Sequence, residues 1–158
     1  MVKCTLITLG ALKEEYLVRA VEEYKKRLSP FAEVHEINLK DEKLLTESPT
    51  EISAVLEIEA DKILSKIPDG AYTVALCVEG KEYSSEAFAA LIGEAKDTSG
   101  KLCFIIGSSY GLSERVKRRA DARISFSKMT FPHGLMRAIL TEQLYRAFTI
   151  LSGKKYHK

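Results

Sequence analysis

The stretch "SFSKMTFPHGLMRAILTEQLYRAF", residues 125–148, joins a polar turn, a proline and a long amphipathic run. Its first half carries several backbone donors and acceptors in a non-repetitive conformation, and those groups need partners. A ligand with its own donors and acceptors, such as an adenine, could supply them, while Phe126, Met129 and Phe131 could wall an apolar slot. The plainer reading makes the same three side chains core residues, with Pro132 marking a helix start. A second candidate is "FIIGSSYGLSE", residues 104–114, where an apolar run meets Gly107, two serines and Gly111. Glycine there permits left-handed backbone or close approach to a ligand. The spacing is neither G-x-G-x-x-G nor a P-loop, so a dinucleotide or triphosphate is poorly supported. "GSSYG" has the G-x-S-x-G form of a hydrolase elbow, but the chain is too short for that fold. A ligand loop and a structural turn both remain open. In the last helix, Arg137 and Arg146 are nine residues apart, half a turn round the axis, so both cannot bond one phosphate unless the chain bends. The terminal "GKKYHK" would ordinarily fray, yet Tyr156 and His157 could stack on a base or bond to it.

The elements that must position these residues alternate along the chain. "KCTLITLG" is a strand ended by Gly10. A helix follows with Tyr16, Leu17, Ala20, Val21, Tyr24 and Leu28 on one face, and Ser29-Pro30 stops it. "EVHEINL" alternates as a half-exposed strand, a mobile loop is expected from Lys40 to Thr50, and helix resumes at Glu51. "YTVALCVEG" and "KLCFIIG" read as buried strands, separated by a helix from Glu86 that Ser84 or Ser85 can cap. The short helix "SERVKRRAD", the strand "ARISFS" and a helix from about Gly134 to Leu151 complete the chain. Met136, Leu140, Leu144 and Phe148 form an apolar line there, widened by Leu135, Ile139, Ala147 and Leu151, enough to cover a sheet and also meet a second subunit. Glu142 and Arg146 are expected as a surface i,i+4 pair. Strands alternating with helices predict an α/β fold with a mostly parallel sheet, whose ligand loops follow Val78, Ile106 and Phe126.

Composition narrows the function. With 158 residues, 46% of them hydrophobic, one domain spanning 1–158 is expected, without disulfide or metal staples. Cys4, Cys77 and Cys103 share no C-x-x-C spacing and read as buried strand cysteines, and His35, His133 and His157 are too dispersed for a metal site. No run of about 20 apolar residues is present and no leader is evident, so a cytoplasmic protein is expected. Residues 1–100 hold 12 basic and 19 acidic side chains, net −7, whereas 101–158 hold 12 and 3, net +9. Such asymmetry suggests a polyanionic partner for the C-terminal part, or the acidic half of another copy. A non-catalytic ribosome-binding factor and a small nucleotide-binding enzyme are the two competing classes.

Taken together, "FIIGSSYG", "SFSKMTFPH", "MRAILTEQLYRAF" and the final "YHK" resemble the RlmH family of SPOUT-class methyltransferases, which methylate N3 of a pseudouridine in large-subunit (23S) ribosomal RNA. The similarity runs from the N-terminal strand and "LKEEY" to the last residue. It implies a SPOUT fold with a C-terminal trefoil knot, a feature that general folding rules would argue against. It also implies an S-adenosyl-L-methionine site at Leu76, Gly107 and the backbone of Phe126, Ser127, Lys128, Met129, Thr130 and Phe131. One departure stands out: family members usually show two glycines where this chain has Gly107-Ser108, so a Cβ could narrow the pocket. Arg137, Arg146, Tyr156 and His157 are the substrate-side candidates, with His157 a base and Tyr156 a stacking platform. The resemblance further implies a homodimer with its active site at the subunit boundary, acting on assembled ribosomes. Together with the charge layout, it places Arg115, Lys117, Arg118, Arg119 and Arg123 on RNA phosphates.

Overall fold

The computed structural model describes all residues, Met1–Lys158. Ten elements alternate: β1 (Val2–Leu9), α1 (Glu15–Leu28), β2 (Ala32–Leu39), α2 (Pro49–Leu64), β3 (Tyr72–Glu82), α3 (Ser85–Ser99), β4 (Lys101–Ile106), α4 (Glu114–Arg119), β5 (Ala122–Ser125) and α5 (His133–Leu151). The strands form one parallel sheet in the order β2-β1-β4-β3-β5, as the near-continuous apolar runs of β1, β3 and β4 require for burial on both faces. Alternation divides the core. Cys4, Leu6, Val74, Leu76, Leu102 and Phe104 face α3 and α5, where Phe88, Ile92, Leu140 and Leu144 cover them. Ile7, Leu9, Ala75, Cys103 and Ile105 face the opposite way, under Ala60 and Ile63 of α2 and Val116 of α4. The strand order is compatible with the knot that the resemblance implies.

Three helices begin on serine caps: Ser48, Ser84 and Ser113 accept from the amides of Glu51, Ala87 and Val116. The first of these corrects the expected boundary, since Ser48-Pro49 starts α2 before Glu51. The preceding loop, expected to be mobile, is hydrogen-bonded to α2. Glu51 accepts from the amides of Leu45 and Thr46, and Lys62 bonds the Glu42 carboxylate and the Lys40 carbonyl. Tyr16, expected on the packed face of α1, is exposed, whereas Leu17 and Val21 pack against Ala138 of α5. The wide apolar surface of α5 is largely used within the chain, between α1 and α3, leaving Leu135 and Leu151 exposed.

β3 holds a feature that periodicity does not reveal. Leu76 and Lys81 both register with Ile124 of β5, so Cys77–Gly80 leave the ladder between them. A Cβ on Gly80 would lie 2.6 Å from the Ile124 backbone carbon, so only glycine lets the strand return against β5. This excursion makes Cys77 half-exposed, unlike the buried Cys4 and Cys103.

Candidate functional site

The C-terminal ends of β3, β4 and β5 open into a single cavity of about 680 Å³, within the usual range for ligand pockets. Its walls are the Leu76–Glu79 excursion, the Ile106–Leu112 turn and the segment from Ile124 to Met136, with Lys117 reaching in from α4. Seven of the eight predicted cofactor positions line it: Leu76, Gly107, Phe126, Ser127, Met129, Thr130 and Phe131. Lys128 is exposed and does not.

The turn after β4 is closed on itself. Gly111 donates its amide to the Ser108 carbonyl at 2.9 Å and takes a left-handed φ of 87°. The Gly111 carbonyl folds directly over Gly107, and a Cβ on Gly107 would lie 2.7 Å from the Gly111 carbonyl carbon. Gly107 is therefore required by its own turn. Ser108 has no positive φ, so its departure from glycine costs no backbone strain. Its Cβ carries the hydroxyl to Glu59 of α2, 3.0 Å away.

The other wall is built differently. Residues 126–131 make no backbone–backbone hydrogen bond. Only a small local turn orders them: Ser125 Oγ donates to the Ser127 carbonyl at 2.8 Å, and the Met129 amide donates to Ser127 Oγ at 2.9 Å. Phe126 is anchored edge-on against Phe88 with ring centroids 6.0 Å apart, while Met129 is 74% exposed. A cluster of main-chain donors and acceptors beside apolar rings suits a flat heterocycle with hydrogen-bonding edges.

The electrostatics argue against a phosphate-bearing ligand. Lys117 is the one lysine or arginine in the lining, and its ammonium is held by Glu79, with Glu114 at 3.4 Å. Burial alone would lower its pKa, but the two carboxylates outweigh that and raise it. Lys117 is thus turned into the cavity wall and away from the surface role expected for it. Arg115 is likewise occupied, donating to Asp61 at 2.6 Å and to the Glu57 carbonyl at 3.1 Å. Arg118, Arg119 and Arg123 are exposed and form no ion pair, although Arg123 donates to the Lys117 carbonyl at 3.3 Å. The five basic residues therefore separate into two groups.

None of the four substrate-side candidates lines the cavity of its own chain. Arg137 is buried, donates to the Leu9 and Gly10 carbonyls at 3.1 and 2.5 Å, and ties α5 to the end of β1. Burial pushes its guanidinium pKa down. Arg146, Tyr156 and His157 do come together. Arg146 donates to Glu142 at 2.6 Å and lies 4.8 Å from the Tyr156 ring centroid. Tyr156 donates to the same carboxylate at 3.1 Å, and burial with its neighbours Tyr24 and Glu142 pushes its pKa to about 12. His157 Nδ1 lies 3.2 Å from Arg146, and its Nε2 lies 2.6 Å from Glu86 of α3. Glu142–Arg146 is accordingly a half-buried hub and not a surface pair, and the tail is docked instead of frayed. The sequence signal for this was the carboxylate one turn before Arg146. No group of three or more His, Cys, Asp or Glu side chains is gathered as metal ligands, and no helix is long and apolar enough to cross a membrane.

The family model described as "Predicted SPOUT methyltransferase" matches residues 2–157. The chain is 47% identical over 153 residues to "Ribosomal RNA large subunit methyltransferase H" of Caldicellulosiruptor bescii, covering 97% of the chain and 98% of that protein. Proteins of the same name from Listeria monocytogenes serovar 1/2a and Carboxydothermus hydrogenoformans are each 48% identical, over 155 and 157 residues. They cover 97% and 98% of this chain, and 98% of each relative.

Proposed function

We propose that this chain, which belongs to the SPOUT methyltransferase family, transfers a methyl group from S-adenosylmethionine to N3 of a pseudouridine in large-subunit ribosomal RNA. The observation that carries the cofactor reading is the pairing of a half-apolar cavity, whose single lysine is occupied by Glu79, with a wall at 126–131 that makes no backbone–backbone hydrogen bond. A phosphate-free adenosine compound that carries a sulfonium and an amino-acid group fits that donor set better than ATP or a dinucleotide. Phe126 and Phe131 supply the apolar contact, while the backbone from Ser127 to Thr130 supplies hydrogen bonds. When bound, S-adenosylmethionine supplies a sulfonium methyl, which leaves its sulfur as a neutral thioether while N3 gains the new bond and gives up its proton.

The chain's contribution is to orient the two reactants and to manage that proton. His157 is the candidate acceptor: Arg146 can only donate, so Nδ1 accepts from it while Nε2–H donates to Glu86, and exchange of the Arg146 contact frees Nδ1 to take the proton. Tyr156 offers a ring to a base, and Arg146 can stabilise charge developing on the ring carbonyls. Arg137 supports α5 from within. Because none of these residues reaches its own cavity, the reading includes a homodimer in which one copy's tail completes its partner's site. Arg118, Arg119 and Arg123 remain available for RNA phosphates. The mechanism needs no metal, because the donor is already activated.

The test follows tritiated methyl transfer to assembled ribosomes and, separately, to naked ribosomal RNA, both from cells lacking the modification, with the labelled base mapped. Label on N3 of one pseudouridine is the expected result, in ribosomes alone if their architecture selects the target. Absence of label in both, with cofactor binding intact, would assign the cavity correctly and the substrate wrongly.

A further inference from the structure

Glu59 is a carboxylate 1% exposed in the middle of α2, on the face of the sheet that α2 and α4 cover. Buried carboxylates need partners, and its two oxygens are given to different segments. Oε1 accepts from Ser108 Oγ at 3.0 Å, and Oε2 accepts from the Glu42 amide at 3.1 Å. One side chain thus joins the 40–48 loop, α2 and the turn over Gly107. A second, exposed contact runs in parallel, from Tyr110 Oη to Glu47 at 2.9 Å. These two bonds are the only side-chain hydrogen bonds made by residues 107–111, and that turn forms one wall of the cavity. Burial pushes the Glu59 carboxyl pKa up, opposed by the bonds from Glu42 and Ser108.

We infer that Glu59 and Ser108 are positioning residues for the cofactor, a buried latch that holds the Gly107–Gly111 turn at the spacing its ligand requires. The inference rests on the S-adenosylmethionine reading of the cavity. It gives the 40–48 loop a role, as the outer support of the latch. It also explains how serine is accommodated beside Gly107: the added Cβ points at α2 and away from the ligand, and its hydroxyl gives the turn an attachment that a glycine could not make. A hydroxyl donating to a carboxylate is a charge-assisted bond, among the stronger attachments available to a loop.

The test uses the full-length protein and S-adenosylhomocysteine as the probe, measured by calorimetry, with amide exchange at Gly111 as a second readout that needs no ligand. Ser108→Ala removes the hydroxyl at a partly exposed turn and is expected to fold, with a melting temperature lowered by about 2–4 °C because Glu59 loses one of its two donors. It should weaken binding about fivefold to tenfold and speed Gly111 exchange by a similar factor. Glu59→Gln, whose amide can donate to Ser108 while its carbonyl accepts from Glu42, should keep affinity within about twofold. In Ser108→Ala/Glu59→Gln, affinity should match that of Ser108→Ala alone, because the latch is already open. Wild-type binding with neither affinity nor exchange altered in Ser108→Ala overturns the latch and leaves the cofactor reading standing. No binding by the wild-type protein overturns the cofactor reading, and the latch with it.

Discussion

The two walls of the cavity solve the same problem in opposite ways. The Gly107–Gly111 turn is closed by its own Gly111–Ser108 backbone bond, covers its glycine with a carbonyl and is fastened from behind by Glu59. The 126–131 segment has no backbone–backbone bond, leans on Phe88 through one ring and leaves Met129 in solvent. One wall carries its own fastening, and the other leaves most of its main-chain groups without a partner in the chain. Pre-organisation on one side limits the entropy lost on binding. Unpaired groups on the other make recognition depend on a ligand that can match them.

The largest effect that bears on this contrast lies outside both walls. His157→Ala should lower turnover by about a hundredfold or more, the scale of a lost general base, with S-adenosylhomocysteine affinity unchanged. An equal loss of affinity would make the tail a third wall. Next, Gly107→Ala drives a Cβ into the Gly111 carbonyl. Relieving such a clash costs about 1–3 kcal/mol, so affinity should fall roughly tenfold to a hundredfold while turnover at saturating cofactor falls less. Titration calorimetry showing normal affinity would mean that this wall is not pre-formed.

Amide exchange compares the walls directly. Saturation with S-adenosylhomocysteine should slow exchange across 126–131 at least about tenfold, and across 107–111 by less, since the former has no backbone–backbone bond and the latter is closed by one and fastened to Glu59. Equal protection of both would erase the distinction. Smaller still, Met129→Ala should change affinity by less than about threefold, as expected for a side chain left mostly in solvent. Finally, Arg118→Ala/Arg119→Ala should weaken ribosome binding and reduce the slope of log affinity against log salt by roughly one to two. The already paired Arg115 and Lys117 should contribute less to that slope. Salt-insensitive binding by the wild-type protein would remove the basic surface from recognition.

Much of the fold was legible because apolar runs and serine caps are local signals. Ser84, one of the two serines expected there, caps α3, and β1 and β4 alternate their side chains between two cores. The start of α2 was misplaced because its capping serine precedes a proline inside a polar stretch that resembles a loop. The β3 excursion was invisible for a different reason. Cys77–Gly80 continue an unbroken strand-like run, and only contact with β5, over forty residues later, shows that the ladder skips them. Among the site residues, Gly107 and the 126–131 segment could be located from glycine and turn chemistry together with family resemblance. Glu59 could not, because a single glutamate in an amphipathic helix looks like any solvated one until the turn after β4 is folded onto it.

By itself the sequence determined the alternation of elements, the division of charge between its two parts and the positions of its glycine and proline turns. Each depends on residue type and near neighbours, and period, caps and glycine positions express those directly. Only the tertiary structure decided which charges are free. It turned Lys117 inward to Glu79, gave Arg115 to Asp61, buried Arg137 on the β1 carbonyls and gathered Arg146, Tyr156 and His157 around Glu142 and Glu86. A charge's role depends on what lies within a few ångströms of it, and those neighbours come from chain segments far away in sequence.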